Sequence, residues 1–262
     1  MEKITQLAPA KLNLSLYVTG KQDNYHLLEM INIVLPFYDI IEIQKNTEDV
    51  LESSLDIPNN IVLKALQLWR DFTKIPHKVR IILTKNIPLG AGLGGESADA
   101  AAMIRGLNNL FEINTPLEQF IPLAQKLGSD VAFCLFNRWA KVSHLGEELL
   151  FLTPNPKIKK ILLILPNLAC STSEVFKHYP DTFEFNPNLL LNYHYHYKQF
   201  IKDLHNSLTA TTVQLYPDLT ALSQIPMVHM SGSGSCFFII NPTQKNYNSL
   251  KKISYRTMLL TL

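Results

Sequence analysis

The stretch PLGAGLGGESADAAA, residues 88–102, constrains this chain more than any other. It follows an apolar, β-branched run, VRIILT from Val79 to Thr84, and leads into an alanine-rich segment that continues to about Leu110. That order predicts strand, glycine loop, helix. Gly90, Gly92, Gly94 and Gly95 lack the Cβ that bars positive φ, so the backbone can come close to whatever it surrounds. Backbone N–H groups at the start of a helix converge on one point, where the helix dipole also favours negative charge. The guest that fits is a phosphate; the plain alternative is a glycine-rich surface turn before a helix.

Length and charge narrow the field. A chain of 262 residues suffices for one large or two modest domains, burying roughly 70–75% of its unfolded surface. A formal net charge of +2 gives no reason to expect a nucleic-acid or membrane partner. Cys134, Cys170 and Cys236 are far apart and mostly inside apolar runs, so they read as reduced, buried thiols of a cytoplasmic protein. Gln6, Lys11 and Asn13 interrupt any signal-peptide core, and no run approaches the ~20 apolar residues of a membrane span.

Along the chain, alternation from Lys3 to Thr19 predicts a strand with a break at Pro9. Residues 38–44 predict a second strand, reached through a turn and an apolar run that begin at Asp23. Asn59 or Asn60 can cap a helix whose face is Ile61, Leu63, Leu66 and Trp69. Thr115 and Pro116 open another helix, ending at Gly128 and leaving Ser129 and Asp130 just beyond it. Strands are expected near Trp139–His144 and Glu148–Leu152. Two prolines in TPNPK, 153–157, mark a linker and a domain boundary. Beyond it, 161–166 reads as a buried strand and 171–176 as a helix start capped by Ser171 or Thr172, with Glu174 completing a capping box. His194 and His196 share one side if that segment is a strand, but no third metal ligand accompanies them. HMSGSGSCFFII, 229–240, is a turn between two strands, followed by a last helix and strand.

Three nucleotide-binding readings compete for the glycine stretch. Gly90, Gly92 and Gly95 satisfy the dinucleotide spacing, yet the acidic residue expected about 20 positions on falls in a helical region, where Glu112 and Glu118 are poorly placed. A Walker loop needs lysine and a hydroxyl residue after the last glycine, and here Glu96 and Ser97 follow. The third reading takes its charge and base from elsewhere. Lys11 sits among strand-like apolar residues, where an ammonium needs a partner or a task, and Asp130 precedes Val131, Ala132 and Phe133.

PAKLNLSLYVTG, DNYHLLEM, PLGAGLGGESADAA, KLGSDVAF, STSEVF and HMSGSGSCFF, in this order and spacing, resemble the 4-diphosphocytidyl-2-C-methyl-D-erythritol kinases. These belong to the galactokinase, homoserine kinase, mevalonate kinase and phosphomevalonate kinase (GHMP) superfamily. The resemblance spans nearly the whole chain, and Tyr25-His26 with the early Pro-Ala-Lys-Leu-Asn favours this one family. It implies an α+β, two-domain GHMP kinase fold. Residues 1–154 would form the ribosomal-protein-like N-terminal domain and 155–262 the ferredoxin-like C-terminal one.

The implied activity is transfer of the γ-phosphoryl group of ATP, with magnesium, to the 2-hydroxyl of the cytidyl diphosphate substrate in mevalonate-independent isoprenoid synthesis. Lys11 and Asp130 match the catalytic pair. Pro88, Leu89, Gly90, Ala91, Gly92, Leu93, Gly94, Gly95, Glu96, Ser97 and Ala98 match the ATP loop, and Asn60 and Lys85 match positions near the nucleotide. Tyr25 and Phe176 match the faces that enclose the pyrimidine, and His26 its edge; Asn13 and Thr172 match contacts around the acceptor. Glu96 replaces the third consecutive glycine of the family and Ala98 its second serine, so Glu96 is expected to turn outward or toward magnesium, and to strain the loop if positive φ is needed there. Two alternatives stand beside this reading: a GHMP kinase for another small alcohol, and a nucleotide-binding module whose phosphate loop has decayed.

Overall fold

A computed structural model describes residues 2–250 and 255–262. The chain forms two compact units, each discontinuous in sequence. The first contains the residues up to Lys11, Phe37–Pro88 and Gly94–Arg138; the second contains Leu12–Pro36, Leu89–Leu93 and the chain from Trp139 onward. Helix and sheet are both well represented, as expected for an α+β chain.

Two long strands, β1 (Lys3–Gln22) and β2 (Tyr25–Asn46), pair as a hairpin. The expected break at Pro9 does not occur. Among the described residues β1 is laddered only to β2, so its other edge has no ladder that needs the missing N–H.

In the first unit β3 (Val50–Ser53), α1 (Ile61–Thr73) and β4 (Lys78–Thr84) make a parallel crossover, and β4 also pairs antiparallel with the C-terminal half of β2. β3 is not among the strands expected from the sequence. Asn60 caps α1 as expected, its side chain accepting from Val62 N at 3.1 Å. The buried face is Val62, Ala65, Leu66 and Trp69, the i, i+3, i+4, i+7 set, while Leu63, one step around the helix, is exposed. Trp69 is wholly buried, and truncating such a residue costs about 3–5 kcal/mol.

Next comes α2 (Gly95–Leu110), buried along most of its length because its alanines let α1 and a later helix pack close. Its Gly106 leaves room for Ile43: a Cβ there would lie 2.5 Å from Ile43 Cδ1. The helix expected from Pro116 is a short 3-10 turn, Leu117–Phe120, followed by α3 (Ile121–Gln125). Thr115 does not cap it, being held instead by Asn108, which donates to Thr115 O and accepts from Thr115 N. The unit closes with α4 (Val131–Phe136), whose C-terminal carbonyl of Cys134 accepts from Arg105 Nη1 at 2.6 Å. Arg105 Nη2 donates to Leu7 O at 3.0 Å.

In the second unit β5 (Ala140–His144) pairs with the N-terminal half of β2 and with β6 (Glu148–Phe151). The proline-bearing stretch 153–157 has neither helix nor strand, and contact density assigns it to this unit. Asn155 within it donates to Tyr193 O at 2.6 Å.

Then follow β7 (Lys160–Leu165), α5 (Thr172–His178), α6 (Leu189–Tyr195), α7 (Tyr197–Lys202), α8 (Thr209–Leu215) and α9 (Thr220–Ser223). β8 (His229–Met230), β9 (Phe237–Ile240), α10 (Gln244–Leu250) and β10 (Arg256–Thr261) end the chain. An antiparallel sheet of order β10-β7-β9-β8 forms the floor of this unit. Ser171 caps α5 by accepting from Glu174 N at 3.3 Å, as expected. His194 and His196 lie in and just after α6, not on a strand, and no group of three or more His, Cys, Asp or Glu able to hold a metal occurs among the described residues. No helix among the described residues is long and apolar enough to cross a membrane.

Candidate active site

Within the first unit, the glycine stretch ends where α2 begins. Gly94 occupies the helix N-cap position in the left-handed conformation, φ 65°, and no side chain caps the helix there. The first amides of this helix therefore have no side-chain partner and suit an anion. Glycine is required at 94 for a second reason: a Cβ would lie 2.7 Å from Lys11 Cγ. The Lys11 side chain thus runs along the backbone of Gly94, and its Nζ ends 3.1 Å from Asp130 Oδ2.

Asp130 holds the N-cap position of α4 without using its carboxylate to cap it. The oxygens remain available for other work, with the side chain 23% exposed against 5% for Lys11. Ser97, in the first turn of α2, has its Oγ 4.0 Å from the point where a Cβ on Gly128 would stand, which brings it to the turn preceding Asp130. An anion seat, an ammonium and a carboxylate therefore adjoin one another, although they lie about 80 and 35 residues apart in sequence.

Glu96 is exposed in the first turn of α2 and has ordinary helical backbone; positive φ within the stretch is confined to Gly90, Gly92 and Gly94. The expected strain at Glu96 is therefore absent, because the loop needs its left-handed residues earlier. Ala98 is buried in the same helix. Asn60 is buried too, and its Nδ2 has no hydrogen-bond partner among the described residues. Lys85 does not reach the surface: its side chain is 0% exposed and pairs with Asp39 and, at 2.6 Å, with Asp99. Burial raises Asp99 to a pKa of about 7, Lys85 opposing that rise and the charge of Asp39 adding to it.

The second unit holds a separate polar cluster. Asn13 is buried, donating through Nδ2 to Asn32 Oδ1 at 2.7 Å and through its backbone N to Ser231 Oγ at 3.2 Å. Ser231 Oγ in turn donates to Gly92 O at 3.0 Å. The approach of Gly92 is so close that a Cβ there would stand 2.1 Å from Ser231 O. Residues Gly90 and Ala91 are pinned by N–H donors of Cys170, Ser235 and Cys236, and Leu93 is buried. Pro88 and Leu89, at the start of the stretch, remain partly or largely exposed. Thr172 Oγ1 lies 2.8 Å from Ser233 Oγ.

Tyr25, at the start of β2, is 68% exposed. His26 stacks on Phe176 with ring centroids 5.4 Å apart, meets Tyr179 edge-on, and turns its Nε2 toward Asp181 Oδ1 at 3.4 Å. The bare aromatic face is thus that of Tyr25, while one face of Phe176 is taken by His26.

Comparison with known proteins settles the family. Residues 60–138 match the model of the GHMP kinases N terminal domain. The 4-diphosphocytidyl-2-C-methyl-D-erythritol kinase of Bacillus pumilus is 33% identical over 95% of this chain and 93% of its own length. This chain belongs to that kinase family. The Bacillus subtilis member is 32% identical over 95% of this chain and 93% of its own. A crystal structure of 4-(cytidine 5'-diphospho)-2C-methyl-D-erythritol kinase superposes with a TM-score of 0.78 at 28% identity, covering 98% of each chain. A mevalonate kinase, 14% identical with a TM-score of 0.67 over 98% of this chain and 99% of its own, shares the fold alone. As a member of the GHMP kinases, this chain is an ATP-dependent small-molecule kinase.

Several residues that complete these clusters escape a reading of the sequence. Asp39 follows an aromatic residue in a strand, and Asp99 stands in an alanine run, positions that ordinarily face solvent. Ser231 and Ser233 lie in a stretch legible only as a turn. For Asp99 the sequence carries a signal: one carboxylate within the run Ala98–Ala102, shortly after a phosphate-type loop.

Proposed function

We propose that this kinase transfers the γ-phosphoryl group of ATP to the 2-hydroxyl of 4-diphosphocytidyl-2-C-methyl-D-erythritol. The observation that carries this reading is the Lys11–Asp130 pair lying against Gly94 at the uncapped start of α2. Phosphoryl transfer asks mainly for positioning and charge stabilisation. The amides at the start of α2 hold the ATP phosphates, Asp130 accepts the hydroxyl proton on a carboxylate oxygen, and Lys11 orients that hydroxyl.

Lys11 has a second task that follows from magnitude. A carboxylate and a phosphate oxygen ~4 Å apart repel by roughly 4 kcal/mol at an effective dielectric of ~20. An ammonium 3.1 Å from Asp130 offsets a repulsion of that size. Asn60, with its unpartnered amide, is assigned to the nucleotide. Asn13 and Thr172 are assigned to the acceptor, and Tyr25, His26 and Phe176 to the cytidine. The exposure of Tyr25 supports this last assignment, since a large aromatic face left in water is a surface for a ring to stack on.

Magnesium belongs to the same reading. No three-residue carboxylate or histidine cage exists among the described residues. The hydroxyl of Ser97, in the first turn of α2, fits an ion held chiefly by phosphate oxygens, as is usual for magnesium. When bound it would screen the phosphate charge. The functional division into residues 1–154 and 155–262 is proposed on the same resemblance. A cytoplasmic location is supported by three free, buried thiols.

The test is a coupled ATP-consumption assay with the cytidyl diphosphate substrate, mevalonate and homoserine in parallel. Turnover with the first alone is expected. Preference for either of the others would reassign Tyr25, His26 and Phe176, and no turnover with any, alongside absent ATP binding, would favour the decayed-loop reading.

A further inference from the structure

Beneath the start of α2 lies a buried cluster for which the reaction as described has no use. Asp39, on β2, accepts from the backbone N–H of Asn86 at 2.5 Å and of Ile87 at 2.8 Å, the two residues that lead from β4 into the glycine stretch. The same carboxylate pairs with Lys85, whose ammonium also holds Asp99 in the second turn of α2 at 2.6 Å. All three side chains are at most 2% exposed. Gly95 makes room for the arrangement: a Cβ there would stand 3.0 Å from Ile87 Cγ2 and 3.3 Å from Lys85 Nζ. One ammonium and one carboxylate therefore connect the segment before the loop to the helix after it, directly under the amides that would face phosphate.

Stability alone does not account for this cluster. Desolvating charged groups costs several kcal/mol per ion, and well-packed apolar residues commonly serve a core as well or better. Electrostatic attraction for the nucleotide does not account for it either. Two carboxylates against one ammonium place a formal excess of negative charge under a seat for anions, and Asp99 Oδ1 has no hydrogen-bond partner among the described residues.

We infer that Asp39 and Asp99, acting through Lys85, are positioning residues that fix the first turn of α2 against the β4 end of the loop and so set the geometry with which its amides hold ATP. The inference rests on the reading of this loop as the ATP site. It also gives Lys85 a role beneath the nucleotide rather than in contact with it.

The sign of one measurement separates geometry from charge. Removing a negative charge below the loop would by itself tighten binding of a polyanion. Loss of the tie would loosen it. Binding of a non-hydrolysable ATP analogue, measured directly by calorimetry without any second substrate and at about pH 8, where Asp99 is mostly ionised, is therefore compared among wild type, Asp39→Asn and Asp99→Asn, with thermal unfolding of each recorded alongside.

The expected result is about tenfold weaker ATP binding in Asp39→Asn, on the scale of one hydrogen-bonded charge. Asp99→Asn is expected to weaken binding several-fold, and the KM for the acceptor alcohol should stay unchanged in both. Unchanged or tighter ATP binding in either folded variant overturns the inference. So does failure of both to fold, which would make the cluster a stability element; if only Asp39→Asn fails, Asp99→Asn decides. Absence of ATP binding by the wild type would instead overturn the reading of the loop itself.

Discussion

Lys11 Nζ stands 3.1 Å from Asp130 Oδ2, and the methylenes of the same lysine lie against Gly94. Lys11 is nearly buried, whereas Asp130 keeps part of its carboxylate accessible. Asp130 leaves α4 uncapped by its side chain, so its carboxylate is not spent on the helix end. Asp130→Asn and Lys11→Ala are each expected to reduce kcat by ~10²–10⁴-fold, the range typical for a positioned acid or base. Calorimetric ATP binding should survive in Asp130→Asn. Steady-state turnover near that of the wild type in both variants would remove the pair from the reaction.

Gly94→Ala is expected to impair the enzyme twice over. Its left-handed backbone penalises any L side chain by roughly 1–2 kcal/mol, and the new methyl would stand 2.7 Å from Lys11 Cγ. Lys11 must then move away from Asp130, so kcat should fall by an order of magnitude or more beyond the effect on thermal stability. A variant less stable than wild type but equally fast would show that Lys11 tolerates the displacement.

Tyr25→Ala is expected to raise the KM for the cytidyl substrate about tenfold or more, a stacked base being worth ~1–3 kcal/mol. Because Tyr25 is 68% exposed, its truncation should change stability by no more than about 0.5 kcal/mol. The contrasting measurement is KM for ATP, which should not move. A rise in that value alone would exchange the two ends of the substrate site.

Acidity supplies a fourth prediction. The folded pKa of Asp99 is raised from 3.8 to about 7, so between those values the folded state binds more proton than the unfolded one. Its contribution to stability is therefore fully present at low pH and is lost as pH rises toward 7. His229 acts in the opposite sense: burial lowers it from 6.5 to about 4, so its contribution fades as pH falls through that window. Comparison of melting temperatures for wild type and Asp99→Asn from about pH 4.5 to 7.5 cancels the histidine. The gap between them should shift in favour of the asparagine variant as pH rises; a constant gap would mean that Asp99 does not titrate in this range.

Much of this was legible in the residues, for identifiable reasons. Lys11 and Asp130 stand out because each is a charge that its apolar neighbourhood does not explain, whereas Gly94 is legible only as one of four closely spaced glycines. Asn60 and Ser171 showed as caps because a cap acts on amides two or three residues away. Asp39 was not legible, since its partners Lys85, Asn86 and Ile87 lie more than 40 positions on and only the sheet brings them together. Leu63 fits the apolar pattern of α1 but is exposed, because the neighbouring Val62 fits the same pattern one step around and takes the buried face. The helices α6 to α9 are four to seven residues long, too short for a 3.6-residue repeat to declare itself.

Arg105, remote from any phosphate, gives α2 a second role. Through its bond to the carbonyl of Cys134 it joins the helix that begins at the loop to the far end of the helix that begins at Asp130. On the proposed roles, the phosphate seat and the acceptor of the proton therefore share a common mount. If both roles hold, denaturant that loosens this helix should lower nucleotide affinity and turnover together.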